Sequence, residues 1–190
     1  MSVFAKFRAE MEEAASLQSS TVKMLRAISE RARDSGQQII FLSIEGIRVA
    51  QAHKGFLLCN FKVPNGVSDE NENWHPGAIA TLIDNIGTLA TFSLVPAFNV
   101  SVDFSISFFS TAKVQEEVEV EAKVVGKKER LTCVAVQVRK KANGELIASG
   151  KQWMAATNVI AGLRTTLSDR KVYSTIDNME GIEDLICRHL

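Results

Sequence analysis

The sequence is short of several things, and each shortage excludes a class of protein. It has no net charge, since 22 basic residues balance 22 acidic ones, so no field draws it to nucleic acid or to an anionic membrane surface. Cysteine is scarce and scattered, at Cys59, Cys133 and Cys187. No two form a Cys-x-x-Cys pair, and the odd count points to reduced thiols in an intracellular compartment. His53 and His189 have no neighbours at metal-ligand spacing, so no metal is expected. No apolar run approaches the ~20 residues that cross a bilayer. Arg8, Glu10, Glu12 and Glu13 interrupt the first residues, which argues against a secretory signal or a mitochondrial transit peptide. Internal repeats and low-complexity segments are absent too.

What is present is 190 residues, enough for one domain with a buried core and attached segments. Residues 3–34 read as helical, with Ser19-Ser20 as a break and cap between two pieces. Residues 1–16 read equally well as a solvated lead-in. In the second piece Val22, Leu25, Ile28 and Ala32 are spaced for one packed face, and Gly36 ends the helix. A hairpin follows: Gly46 to His53, a Lys54-Gly55 turn, then Phe56 to Val63. Leu57, Cys59, Phe61 and Val63 share one face of its second arm, which makes Cys59 a core residue rather than a reactive one.

Pro64-Asn65-Gly66 breaks the strand, and the polar loop Ser68 to Asn73 leads into the stretch around which the chain is organised, Trp74 to Gly87. Pro76 is suited to the first helical position, where its missing N–H would be unsatisfied anyway. From there Ile79, Leu82, Ile83, Ile86 and Ala90 form an apolar stripe. The other side carries Gly77, Ala80, Thr81, Asp84, Gly87, Thr88 and Thr91, small residues with one acid among them. Trp74 reads as a packing anchor.

Period-two alternation then takes over. Val100, Val102, Phe104, Ile106 and Phe108 fall on one face, and Ser101, Asp103, Ser105 and Ser107 on the other. Val118 to Val124 alternates in the same way. Gly126 to Arg130 turns the chain, Leu131 to Lys140 returns it, and Asn143-Gly144 turns it again before Glu145 to Ala155. The reading is an α+β fold, an antiparallel sheet wrapped around a central helix. Its boundaries are an N-terminal helical segment at 1–43, a core domain at 44–156 and a C-terminal extension at 157–190. In the extension, Met179, Ile182, Leu185 and Ile186 allow a short docking helix or a loose tail.

The polar loop, the His-x-Gly of His75 and Gly77, and Asp84 nine positions after the histidine resemble the hotdog-fold acyl-CoA thioesterases. The similarity is to the phenylacetate-pathway and thioesterase-superfamily-member type. Val100 to Asp103, Asn143-Gly144 and Ile147 to Gly150 add to it, over roughly residues 44–155. The resemblance implies that Asp84 is general base or nucleophile on the thioester. It implies that His75 helps place the acyl carbonyl, with backbone N–H groups at the helix start polarising it. Ser101 corresponds to a serine that orients water and comes from the neighbouring subunit. Gly126, Lys127, Lys128, Arg130 and Leu131 correspond to the coenzyme A contact, with Asp103 and Phe108 nearby, and the cations suit its phosphates. It implies acyl-CoA as substrate, no metal or redox cofactor, and a homodimer or homotetramer with sites at subunit interfaces.

Two positions depart from that pattern. The residue after the histidine is ordinarily a glycine whose N–H binds the thioester carbonyl; here it is Pro76, which has none. Losing one such donor costs roughly 3 kcal/mol of transition-state binding, and Gly77 is the candidate replacement. An asparagine is expected six positions before the histidine, where this chain has Asp69, with Asn71 and Asn73 close by. The alternative is therefore a hotdog protein that binds acyl-CoA or a protein partner and hydrolyses little. A hotdog dehydratase fits less well, its histidine and acid standing in a different motif. Arg188-His189-Leu190 is a poor echo of a peroxisomal tail, which leaves the cytoplasm as the expected compartment.

Overall fold

The computed structural model describes residues 3–95, 97 and 99–156. The C-terminal extension, with its helix-or-tail alternatives, lies outside the described residues. One compact unit ends at Ala156. The elements are α1 (Val3–Asp34), α2 (Gln38–Ile44), β1 (Arg48–His53), β2 (Phe56–Lys62), a 3-10 turn (Asn65–Val67), α3 (Pro76–Leu94), β3 (Asn99–Phe108), β4 (Glu117–Lys128), β5 (Leu131–Lys140) and β6 (Leu146–Ala156).

The six strands form one antiparallel sheet in the order β1-β2-β4-β5-β6-β3. Its inner face curls around α3, which touches every strand from β2 to β6. The stripe predicted for α3 is buried as expected: Ile79, Leu82, Ile83, Ile86 and Ala90 are at most 1% exposed. Against it stand Leu57, Cys59, Phe61, Val118, Val120, Ala122, Val134, Val136 and Val138 from the inward rows of β2, β4 and β5. A Cβ on Gly150 of β6 would come within 2.6 Å of Ile83 Cγ2, so the missing side chain sets how closely helix and sheet approach. Burial pushes the Cys59 thiol up to about 12, which makes it inert packing.

By length and composition α3 is apolar enough to cross a membrane, against the expectation that no stretch would be. Its apolar side chains are spent on the sheet, which is where a core helix of this composition belongs.

Three expectations need correction. The helix does not break at Ser19-Ser20: Ser20 Oγ donates to Ser16 O and Thr21 Oγ1 to Leu17 O, each at 2.9 Å. Hydroxyls that bond back one turn continue a helix instead of capping a new one. Val22 is 39% exposed, so the packed face keeps Leu25, Ile28 and Ala32 as expected but takes Thr21 in place of Val22. The third lies in β3, whose alternation slips at Val102 because Ser101 pairs with Met154 but Asp103 with Trp153. This β-bulge switches the faces. Ser101 then shares the inward side with Phe104, Ile106 and Phe108, whose partners Gln152, Gly150 and Ala148 face the helix.

As the terminal strand of the sheet, β3 is bonded on one side only. Val102, Phe104 and Phe108 stay 37%, 39% and 47% exposed instead of joining the core. The short helix α2, which the sequence pattern did not suggest, buries Ile44 beneath α1 and α3.

Candidate active site

Of the polar residues on the small-residue face of α3, Thr81 and Thr88 are satisfied within the helix, as is Asn85 beside them, whereas Thr91 Oγ1 is buried without a partner among the described residues. Thr81 Oγ1 donates to Gly77 O, Asn85 Nδ2 to Thr81 O and Thr88 Oγ1 to Asp84 O, each at 2.8 Å. Asp84 is different. Its half-buried carboxylate reaches across to the sheet, where Ser101 Oγ donates to Oδ1 at 2.8 Å and Gln152 Nε2 to the same oxygen at 2.6 Å. Gln152 Nε2 also donates to Ser101 Oγ, at 2.9 Å. An ionised carboxylate only accepts, a hydroxyl both donates and accepts, and an amide nitrogen carries two hydrogens. The three groups therefore close a triangle in which every hydrogen has a use.

The bulge in β3 makes this triangle: without it Ser101 would point to the outer face with Asp103, Ser105 and Ser107. The resemblance implies that this serine orients water and comes from the neighbouring subunit; within one chain its hydroxyl already bonds the Asp84 carboxylate.

Gln152 is the residue that sequence reasoning missed. It is fully buried, and its Oε1 has no hydrogen-bond partner. An orphaned buried carbonyl of this kind costs about 1–3 kcal/mol. A readable signal existed: the inward positions of β6 are Ala148, Gly150, Gln152 and Met154, and one of those four is a long amide.

The start of α3 is built differently. His75 is its N-cap, with Nδ1 accepting from Gly77 N at 3.0 Å. The amides of Ala78 and Ile79 donate to His75 O at 2.9 and 3.1 Å. Pro76 has no N–H, so no first-turn amide is left free. Gly77, the candidate replacement for the missing donor, is occupied by the imidazole. A ring nitrogen that accepts carries no proton, so in the neutral ring the proton sits on Nε2, facing away from the cap. His75, Pro76 and Gly77 are all exposed. Asp84 lies seven positions after Gly77, about 10 Å along the helix axis.

The loop before the helix is organised by Asp69. Its Oδ1 accepts from the amides of Asn71 and Asn73, both at 2.8 Å, and Oδ2 from Asn73 Nδ2 at 3.2 Å. The backbone bond from Asn73, ahead of the other donors and Lys113, holds its carboxyl below the ordinary 3.8. Trp74 is buried against Phe61 as the anchor expected.

The remaining predicted contacts separate into two places. Lys127, Thr132, Met154 and Ser101 lie in one row across β4, β5, β6 and β3. Three strand spacings put Lys127 about 14 Å from Ser101. Lys128, Glu129 and Arg130 are exposed at the tip between β4 and β5, and Leu131 begins the return strand. Asp103 shares its row with Trp153, Cys133 and Gly126, one step along and on the opposite face. Phe108 stands in the row of Ala148 and Val138. That is six residues along β5 from Thr132, about 20 Å, so one chain does not bring Phe108 to the turn.

One antiparallel sheet closed around one buried helix is the hotdog fold, here with a carboxylate presented beside the sheet's open edge. Comparison with known proteins gives the family. The sequence profile of the thioesterase superfamily matches residues 71–147. Human acyl-coenzyme A thioesterase 13 is 35% identical over 106 residues, 55% of this chain and 76% of that protein. The crystal structure of zebra fish thioesterase superfamily member 2 superposes with a TM-score of 0.59 at 30% identity, over 62% of this chain and 86% of that one. Mouse thioesterase superfamily member 2 gives a TM-score of 0.62 at 26% identity, over 73% and 96%. The chain belongs to the thioesterase superfamily.

Proposed function

We propose that this protein hydrolyses acyl-coenzyme A thioesters, with Asp84 as the general base. The observation that carries the reading is the Asp84 carboxylate held by Ser101 and Gln152 at an edge open to solvent. In the reaction Asp84 takes a proton from water as the water oxygen bonds to the thioester carbon. The carbonyl π electrons move onto oxygen. They return as the carbon–sulfur bond breaks, and the leaving thiolate takes up the proton. Lys127, about 14 Å from Ser101, and Lys128 and Arg130 at the tip beside it suit the phosphates of the coenzyme. Human acyl-coenzyme A thioesterase 13, the relative aligned above, carries this activity in its name.

The same reading includes a homodimer, or a homotetramer of two such dimers, joined along β3. Its free edge and the exposed Val102, Phe104 and Phe108 support this, because an open, apolar edge strand is a pairing surface. A second copy would bring its helix start, which lies two helical turns from Asp84 in one chain, against the carboxylate.

A second reading has its own observation. With Pro76 lacking an N–H and Gly77 N–H bonded to His75 Nδ1, the helix start offers no free donor to a developing oxyanion. A protein so built binds acyl-CoA and turns it over slowly. Thiol release from acetyl-, lauroyl- and phenylacetyl-coenzyme A, wild type beside Asp84→Ala, separates the two. Turnover that disappears with Asp84 supports the hydrolase. Saturable binding without turnover in the wild type supports the binder.

A further inference from the structure

We propose that Gln152 is a positioning residue for the hydrolysis, that Gly87 exists to seat it, and that together they leave Asp84 Oδ2 as the oxygen that reacts. The inference rests on Asp84 being the base. Both contacts to the carboxylate fall on one oxygen: Ser101 Oγ and Gln152 Nε2 both donate to Oδ1. Among the described residues Oδ2 takes no hydrogen bond. An oxygen that already accepts two short hydrogen bonds has little lone-pair density to offer a water proton. Oδ2 keeps its own, and its direction is fixed because Oδ1 is pinned.

The amide can stand only one way round. Turned over, Gln152 would set its carbonyl oxygen against a carboxylate oxygen, acceptor against acceptor. With Nε2 toward Asp84, Oε1 must point to the helix, where it is buried without a partner. A Cβ on Gly87 would come within 2.5 Å of Oε1 and 3.2 Å of Val134 Cγ1. Only glycine leaves room for the amide at that turn. The sheet thus keeps an unsatisfied carbonyl in its core in order to present two N–H hydrogens, one to the base and one to the serine beside it. A purely structural side chain at this position gains nothing from that arrangement.

The test is steady-state hydrolysis by the purified full chain, on whichever of the three acyl-coenzyme A probes turns over best, alongside thermal melting. Gln152→Leu keeps most of the volume and removes both donors and the orphaned carbonyl. The expected result is a kcat lower by about ten- to a hundredfold, as for losing hydrogen bonds to a charged group. KM stays within about twofold and the melting temperature is unchanged or higher, the split a positioning role gives. Gly87→Ala keeps the amide but displaces it, and should lower both kcat and the melting temperature. Adding Gln152→Asn to Gly87→Ala makes room for the new methyl group, so the melting temperature recovers and kcat does not.

A wild-type kcat in Gln152→Leu overturns the proposal while leaving the hydrolase reading intact, as does recovery of kcat in the double variant. Should Gln152→Leu fail to fold, the Gly87→Ala pair decides alone. Absence of turnover in the wild type overturns the hydrolase reading and this proposal with it, whereas wild-type turnover that survives Asp84→Ala removes the base and overturns this proposal alone.

Discussion

The two parts of α3 that face the reaction are prepared to different degrees. At mid-helix Asp84 is held by two side chains from two strands, with one oxygen left open. At the helix start His75 holds the one amide that could serve the substrate, and Pro76 has removed the other. The first is an assembled half-site; the second is closed by its own cap. The difference shows that a helix N-terminus is a donor only when nothing on the chain has already claimed its N–H groups. Here a capping side chain that stabilises the helix competes with the substrate for the same hydrogen.

Variants at the two ends should respond in opposite directions. The largest effect is expected at the assembled end: Asp84→Asn should lower kcat about a thousandfold, within the range for losing a general base, with binding of the probe thioester retained. Loss of binding instead would make Asp84 a structural residue. At the closed end Pro76→Gly restores an N–H at the first helical position, and kcat/KM should rise by up to about a hundredfold if an oxyanion donor was missing. No gain would remove the helix start from the site.

His75→Ala sharpens the contrast. It frees Gly77 N–H and loses the cap, so the protein should lose about 1 kcal/mol of stability while kcat/KM holds or rises. A fall in kcat/KM would mean that Nε2–H is itself the donor.

The smallest effect concerns the loop before the helix. The Asp69 carboxyl is held below 3.8 by its hydrogen bonds to Asn73 and Asn71. Its contribution to loop order is therefore complete above that value and is lost as pH falls through the lower, folded one. The amide resonances of Asn71 and Asn73 should titrate together with a midpoint below 3.8. A midpoint at or above it would show the loop is not held this way.

The sequence alone determined much of the layout. Period-two alternation in Leu57 to Val63 and Val118 to Val124, and the 3.6-period stripe from Ile79 to Ala90, are local patterns that fix which face is buried. Pro76 and Gly36 marked helix ends for reasons of local geometry. Asp84 stood out as one acid on a face of small residues, and its family motif is local as well.

What the pattern could not contain was decided between elements. One bulged residue, Val102, turned Ser101 to the inner face, and a bulge depends on the partner strand's register, not on composition. The exposure of Phe104 and Phe108 followed from β3 standing at the edge of the sheet, which strand order decides. Gln152 became the third corner of the site only because β6 lies beside β3 and opposite Gly87, 65 residues before it in the chain. Whether Gly77 N–H is free depended on a side-chain rotamer of His75. Each of these is a relation between residues distant in sequence or between alternative hydrogen bonds, and packing chose among them.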